Sequence, residues 1–206
     1  MDKVDYKKDF KDLYLPKKTP IIISIPSMNF LMIDGKGDPN EEDFALKVEA
    51  LYTLSYAVKM SYKKEHAPQD YYHYTVFPLE GVWDLFDKNL SPRIKSNFLY
   101  TIMIRQPDFL TSDLFNKFLS EVKLKKTNSN FDKVKFGTVS EGLCCQMMHV
   151  GSYDNEPESF NIMEQYAADK GYNRIYKTHR EIYLSDPRRT DPAKLKTVLR
   201  FNIESN

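Results

Sequence analysis

The feature that most constrains this chain is a spaced self-similarity between its two halves. Five residues recur as the same residue type 116 positions further along the sequence. The pairs are Met32 with Met148, Gly35 with Gly151, Asp38 with Asp154, Glu42 with Glu158, and Phe44 with Phe160. Both sets fall on a predicted strand, a turn and the start of a helix. Self-similarity of this kind is typical of a structural unit that occurs twice in one fold.

Hydrophobic patterning gives the first half a strand, a helix, two strands and a second helix. The helix after the glycine-rich turn is predicted from apolar residues at helical spacing, among them Phe44, Leu51 and Val58. The predicted elements are a strand at 28–33, a helix that Asp38 caps with Pro39 as its first residue, strands at 71–77 and 97–105, and a helix begun by Thr111 or Ser112.

The second half is also predicted to contain the order strand, helix, strand, strand. The predicted elements are strands at 136–140 and 143–150, a helix from about Glu158 to Gly171, a strand at 175–185, a short helix after Asp191 that contains Leu195, Val198 and Leu199, and a strand near 200–204. We therefore expect an α+β protein with two strand-helix-strand-strand units in a pseudo-twofold arrangement around a ligand cleft. Residues 1–20 are predicted as an N-terminal arm and 21–206 as one domain, with repeats at 21–125 and 131–206.

Composition narrows the class of function. The formal net charge is +1, from 30 Lys and Arg against 29 Asp and Glu, so no strong positive field predicts nucleic-acid binding. Aliphatic runs such as 21–23 are too short for a membrane span. The adjacent Cys144 and Cys145 should lie on opposite faces of a strand and remain unbridged, which favours a reducing compartment and a cytoplasmic location. An aromatic content of 14% hints at an aromatic-lined pocket.

Motifs for metal, phosphate and nucleophilic chemistry are incomplete. His179-Arg180-Glu181 has the H-x-E form of zinc deaminases, but no Pro-Cys-x-x-Cys follows it. Gly35-Lys36-Gly37 lacks the other residues of a phosphate-binding loop. Cys145 has no identifiable base, and no serine lies in a nucleophile elbow. The four histidines (His66, His73, His149 and His179) have no recognised metal-ligand spacing. The sequence therefore predicts neither a metal nor a cofactor.

Glu181 and Trp83 are the strongest candidate site residues. In the strand-like segment 180–184, the two-residue period sends Ile182 and Leu184 to one face and Glu181 and Tyr183 to the other. If the aliphatic face packs on helices, Glu181 points into the cleft, where it can bind a cation, orient water or act as a base. The alternative is an exposed glutamate paired with a lysine or arginine. Trp83 follows a turn-like glycine and suits stacking on a flat ligand, or else anchors the core.

Three segments resemble the GyrI-like small-molecule-binding proteins, a fold also used as the drug-sensing domain of multidrug-responsive regulators. They are 30–39 (FLMIDGKGDP), 78–83 (PLEGVW) and, most specifically, 181–189 (EIYLSDPRR). The resemblance implies two strand-helix-strand-strand units around a ligand cleft, with Glu181 as the cleft glutamate that meets cationic or polar aromatic ligands. Regulators of the family carry a DNA-binding region before the sensor, for which this chain has no room, so we expect a standalone ligand domain without direct nucleic-acid contact.

A standalone subfamily resembles the chain further and includes hydrolases that open the cyclopropane ring of DNA-alkylating natural products in an aromatic cage. This resemblance implies a cofactor-independent cyclopropyl hydrolase that detoxifies flat aromatic xenobiotics, with Trp83 in the cage and Glu181 as the group that activates water. Further ligand-binding positions, chosen by strand position and alternation, are Tyr183, Tyr74, Met103 and His149. The rival hypothesis is a protein that binds or sequesters such compounds without turnover, or that inhibits a partner such as DNA gyrase.

Overall fold

A computed structural model describes residues 3–63 and 67–206; His66, predicted as a structural or surface histidine, lies outside them. The α-helices are α1 (Tyr6–Asp9), α2 (Lys11–Tyr14), α3 (Glu42–Lys59), α4 (Ser112–Lys123) and α5 (Glu156–Asp169). The strands are β1 (Ile21–Ile25), β2 (Met28–Lys36), β3 (Leu79–Leu85), β4 (Phe98–Arg105), β5 (Lys135–Val139), β6 (Gly142–Val150), β7 (Tyr172–Arg174), β8 (His179–Tyr183) and β9 (Lys196–Ser205). Short 3₁₀ helices occur at Met60–Lys63, Lys95–Asn97, Phe131–Lys133, Tyr153–Asn155 and Pro192–Lys194.

The strand-helix-strand-strand order predicted for each half is confirmed. It is formed by β2, α3, β3 and β4 in the first half and by β6, α5, β8 and β9 in the second, where the short β7 is inserted after the helix. The α+β class is confirmed with it. The chain forms two compact units: unit 1 comprises the described parts of 1–5, 28–79 and 85–139, and unit 2 comprises 6–27, 80–84 and 140–206.

Unit 1 is built on an antiparallel sheet in which β2 pairs with both β4 and β5. Helix α3 buries Leu51, Leu54 and Val58. Helix α4 begins as predicted, because the Thr111 hydroxyl accepts a hydrogen bond from the Leu114 N–H at 3.3 Å. Gly35 is required on β2, since a Cβ there would lie 2.2 Å from the ring of Tyr100.

Two predictions for unit 1 are wrong in position. Segment 71–77 is not a strand: Tyr74 forms only an isolated bridge with Val4, and its ring packs against Phe77 and Phe109. The strand lies later, at β3. Helix α3 begins at Glu42 rather than at Pro39. The Asp38 carboxylate instead accepts the backbone and side-chain N–H groups of the nearby Asn40, which closes a turn before the helix.

Unit 2 contains an antiparallel sheet in the order β1, β6, β9, β8 and the central part of β3. Strand β7 pairs with the far end of β9. The predicted helix that contains Leu195, Val198 and Leu199 is absent. The 3₁₀ turn ends at Lys194, and both Val198 and Leu199 are fully buried on β9. The predicted strand at 175–185 is shorter in the structure: β8 covers only His179–Tyr183, and the separate β7 ends before residue 175.

The unit 2 sheet has two chemically different faces. One is apolar and packs on α5, with a core of Cys145, Met147, Met163, Ala167, Leu199, Phe201 and Ile203. The other holds two buried arginines. The guanidinium of Arg180 lies 2.7 Å from a Glu80 oxygen and 2.9 Å from a Glu141 oxygen. Arg200 contacts the second oxygen of Glu141 at 2.8 Å and also donates to Gln146. Because every charge has an opposite partner, the face can be buried.

The N-terminal segment predicted as an arm covers part of this charged face. Helices α1 and α2 belong to unit 2, and Tyr14 is only 1% exposed. The Tyr14 hydroxyl donates to Glu80 at 3.2 Å, and Arg200 donates to the Leu13 carbonyl at 3.0 Å. The segment therefore supplies acceptors and a donor to a network that would otherwise face water.

The two cysteines lie on opposite faces of β6, as expected, and neither forms a disulfide. Cys145 faces α5 and its thiol contacts the Met163 carbonyl at 3.7 Å, whereas Cys144 faces the charged side and contacts Asn202. Burial raises the pKa of each thiol to about 12. Both groups are therefore neutral thiols over the physiological range.

We predict that Arg200→Met destabilises the protein by about 3–5 kcal/mol, because the buried Glu141 then loses one of its two cationic partners. The matched control is Arg188→Met, since Arg188 forms a solvent-exposed pair with Asp186 and its loss should cost no more than about 1 kcal/mol. Urea unfolding of the two variants beside the wild type measures both changes. Equal effects would contradict a structural role for the buried network.

Candidate functional site

Strand β8 carries the candidate site on the face opposite to the buried arginines. Ile182 is fully buried and Arg180 is 3% exposed on one face, whereas His179, Glu181 and Tyr183 lie together on the other. The predicted alternation is confirmed. The pairing of β3 with β8 sets Gly81 opposite Glu181 and Trp83 opposite His179.

A continuous hydrogen-bond chain connects these side chains. The Trp83 Nε1–H donates to the Tyr183 hydroxyl at 2.7 Å, and that hydroxyl donates to Glu181 Oε2 at 2.8 Å. The other carboxylate oxygen, Oε1, lies 3.0 Å from His179 Nε2, which donates to it. Glu181 is thus held by a phenol and an imidazole rather than by the lysine or arginine that a surface strand would supply.

Gly81 makes room for this chain. A Cβ at position 81 would lie 2.6 Å from Trp83 Nε1 and 3.2 Å from the Tyr183 hydroxyl oxygen. The first distance is shorter than any ordinary contact, so a larger residue would displace the indole. The glycine therefore leaves space for the indole to reach the Tyr183 hydroxyl.

Glu156 adds a second carboxyl to the cluster. It is the first residue of α5, is 6% exposed, and forms a side-chain hydrogen bond with Glu181. Burial raises the pKa of Glu156 well above the ordinary 4.5, and the nearby charge of Glu181 raises it further. The raised pKa favours the protonated form of Glu156, which can donate a hydrogen bond to the Glu181 carboxylate.

Aromatic rings surround the carboxyl pair. Tyr153 packs edge-on against Tyr183, with ring centroids 6.0 Å apart, and Phe160 packs edge-on against His179 at 4.6 Å. Burial raises the pKa of Tyr183 well above its usual range and that of Tyr153 to about 12, and the charge of Glu181 contributes to both. Both phenols therefore keep their protons, and the Tyr183 hydroxyl donates to Glu181.

The structure brings some of the predicted residues together. Glu181, Trp83 and Tyr183 form one cluster. His149 also belongs to unit 2, but both of its ring nitrogens are engaged, one with the Ser159 hydroxyl at 2.8 Å and the other with the Ser152 carbonyl at 3.0 Å.

Tyr74 and Met103 belong to unit 1, where each is 2% exposed. Their ligand-binding roles remain predictions, and so does that of His149.

Sequence reasoning missed Glu156 and the contribution of His179. Glu156 stands at the start of a helix, where an acidic residue is common for reasons of helix electrostatics alone, so its burial gives no local signal. His179 was considered only as part of an incomplete deaminase motif. Its position two residues before Glu181 could have placed it on the same strand face.

Two cavities lie apart from the predicted residues. One in unit 1, of about 530 Å³, lies between α3 and α4 and is lined in part by Tyr52, Tyr56 and Val122. One in unit 2, of about 580 Å³, is lined in part by Val150, Leu184 and Lys196. None of the predicted site residues lines either cavity. The assignment of the site therefore depends on the chemistry of the Glu181 cluster, which consists of Trp83, Glu156, His179, Glu181 and Tyr183.

Comparison with known proteins decides the family. Residues 18–204 match the model of the GyrI-like small-molecule-binding domain. The chain belongs to the GyrI-like family. Two crystal structures of Listeria innocua proteins, each described as a hydrolase, are 37% and 38% identical and superimpose with TM-scores of 0.92 and 0.90. In both cases the match covers 98% of this chain and 100% of the other.

A more distant similarity is confined to the fold. The C-terminal domain of EcmrR is 14% identical, with a TM-score of 0.55 over 91% of this chain and 98% of that domain, which shows a shared GyrI-like fold. No curated protein matches this chain. Among the residues that the structure describes, no helix has the length and apolar character needed to cross a membrane.

We predict that the carboxyl pair makes stability fall with rising pH. Because the folded state raises the pKa of Glu156, its contribution is fully present below about pH 4.5 and is lost as the pH rises through the folded value. Glu156→Gln keeps a neutral group at all pH values, so the variant should gain stability relative to the wild type by up to about 1.4 kcal/mol per pH unit in that window. Chemical denaturation from pH 4 to 8 measures the difference.

The control is Glu158→Gln, which changes an exposed carboxyl two residues along the same helix. It should follow the wild-type curve in parallel. If Glu156→Gln also runs parallel to the wild type, Glu156 does not hold a proton in the folded protein.

Proposed function

We propose that the Glu181 cluster binds flat aromatic xenobiotics and opens the cyclopropane ring of DNA-alkylating natural products by adding water. The observation that carries the proposal is a glutamate carboxylate fixed by Tyr183, beside a buried carboxyl whose pKa is raised and beside a tryptophan ring. Membership of a small-molecule-binding family and the similarity to Listeria proteins described as hydrolases support it. We place this activity in the cytoplasm, as a protection against xenobiotics.

Ligand binding would depend on the aromatic groups. Trp83 is 8% exposed and is fixed by its hydrogen bond to Tyr183, so its ring keeps one orientation at little further entropic cost. Tyr153 adds a partly exposed ring beside Tyr183. Preorganised aromatic surfaces of this kind favour offset or edge-on contacts with a polycyclic ligand.

The two carboxyls have complementary roles in the proposed reaction. Glu181 removes a proton from water as the water oxygen bonds to a cyclopropyl carbon. The carbon–carbon bond of the ring breaks, and its electron pair passes into the conjugated system of the ligand. A proton from Glu156 then neutralises that system, and the net change is the addition of one water. Environments that separate the protonation states of two carboxyls are typical of acid–base catalysis.

Positioning supplies much of the remaining rate. Ring strain in the cyclopropane provides a driving force that an ordinary carbon–carbon bond lacks. The chain therefore needs to orient the ligand and one water molecule rather than to supply an oxidant or a strong electrophile. The ligand-binding roles proposed for Met103 and His149 depend on their strand positions alone, and the role proposed for Tyr74 depends on its aromatic ring.

We predict multiple turnovers of a cyclopropane-bearing, DNA-alkylating natural product. The compound is incubated with a few hundredths of an equivalent of protein, and the products are followed by mass spectrometry beside a reaction without protein. A product one water heavier, in excess of the protein, supports hydrolysis. A protein that only sequesters the compound would bind at most one equivalent and return it unchanged on denaturation.

Substitutions in the cluster should separate binding from chemistry. Glu181→Gln should lower kcat by about 100-fold or more, with little change in ligand affinity, because the base is lost and the shape is kept. Trp83→Ala should weaken binding by about tenfold or more and lower the rate with it. The controls are Glu158→Gln and Tyr176→Ala, since both residues are exposed. Full turnover by Glu181→Gln would exclude its role as the base.

A further inference from the structure

We propose that Glu156, His179 and Glu181 form a binding site for a divalent transition-metal ion. Each residue offers one ligand atom, and the three atoms all lie within 4.8 Å of one another. The site would hold an ion such as Zn²⁺ without any change in the backbone. Its occupation does not require that the protein be a hydrolase.

The spacing of the three atoms suits a metal ion after small side-chain movements. Tetrahedral Zn²⁺ binds nitrogen and oxygen at about 2.0–2.2 Å, which puts neighbouring ligand atoms about 3.3 Å apart. To shorten the distance between two ligand atoms from at most 4.8 Å to about 3.3 Å, each atom needs to move by about 1 Å or less. Glu181 and His179 are already in contact at 3.0 Å, so most of the adjustment falls on Glu156.

An incompletely satisfied oxygen is the second observation. Glu156 is 6% exposed, and its Oε1 receives no hydrogen bond from a donor group in the described residues. A buried carboxyl oxygen without a donor is costly. A cation between the two carboxyls would reduce that cost, because it would coordinate this oxygen.

The ligand atoms select the class of ion. One imidazole nitrogen and two carboxylate oxygens suit Zn²⁺ and similar transition metals, whereas Mg²⁺ prefers an octahedral shell of oxygens and keeps its waters. To bind, His179 must present an unprotonated Nε2, so its proton moves to Nδ1 and its hydrogen bond to Glu181 is given up. The His179 side chain is 21% exposed, which allows the ion to enter from solvent.

Metal binding would also regulate the proposed reaction. An ion on Glu181 occupies the base, and an ion on Glu156 removes the proton donor. If the proposed hydrolysis is correct, Zn²⁺ should inhibit it with the same dissociation constant that describes binding. This consequence rests on the proposed function, but the binding itself does not.

The test is isothermal titration calorimetry of the full chain without an affinity tag, treated with chelator and titrated with Zn²⁺. We expect one ion per chain. Glu156→Gln and His179→Gln should each weaken binding at least tenfold. Glu158→Gln should bind as the wild type does, and a large excess of Mg²⁺ should not compete. Circular dichroism of each variant verifies that it is folded.

Two results would overturn the proposal. Absence of Zn²⁺ binding to the wild type is the first, and unchanged affinity in both folded variants, which would place the ion elsewhere, is the second. Turnover measured in the presence of chelator tests the hydrolase separately, so loss of one conclusion leaves the other intact.

Discussion

The ion pairs of Arg180 fix the strand on which the candidate site is built. Its guanidinium lies between Glu80 on β3 and Glu141 just before β6, and it is 3% exposed. Burial opposes its charge, but the two carboxylates raise the pKa of Arg180 further. A shift in the register of β8 would separate the buried Arg180 guanidinium from both carboxylates and leave its charge without a partner. Because side chains alternate along β8, this register also determines where Glu181 lies on the opposite face.

The candidate site and the network of buried arginines accommodate buried ionisable groups in different ways. On the arginine face, each guanidinium is paired with a carboxylate. On the other face, two carboxyls meet, and the pKa of Glu156 is raised. The start of α5 favours a negative charge at Glu156 through the helix dipole, yet burial outweighs that effect and raises its pKa. The result is a proton in a defined place, next to a carboxylate that can accept another.

The parts of this structure that follow a strict period could be predicted from sequence. Alternation placed Glu181 and Tyr183 on one face, and the repeat gave the order of elements. The last helix was wrong because Leu195, Val198 and Leu199 fit a helical spacing, whereas β9 is buried on both faces and obeys no simple alternation.

Contacts distant in sequence could not be predicted at all. Glu156 reaches Glu181 from another element, and its protonation depends on burial that no single-sequence pattern reports. The aromatic segment 71–77 has the composition of a strand, but Tyr74 packs in a ring cluster with Phe77 and Phe109 instead of joining a sheet. In both cases packing decides the outcome.

The state of the two cysteines determines whether an alkylating ligand would react with the protein itself. Alkylating agents react with thiolates far faster than with thiols, and a protein that gathers them next to a reactive cysteine would be consumed in a single encounter. With a pKa of about 12 for each thiol, less than about one in ten thousand molecules carries a thiolate at neutral pH. Burial on opposite faces of β6 also denies access to a bulky electrophile. For a chain that binds alkylating compounds as proposed, the low reactivity of its thiols would protect it from alkylation through many encounters with the ligand.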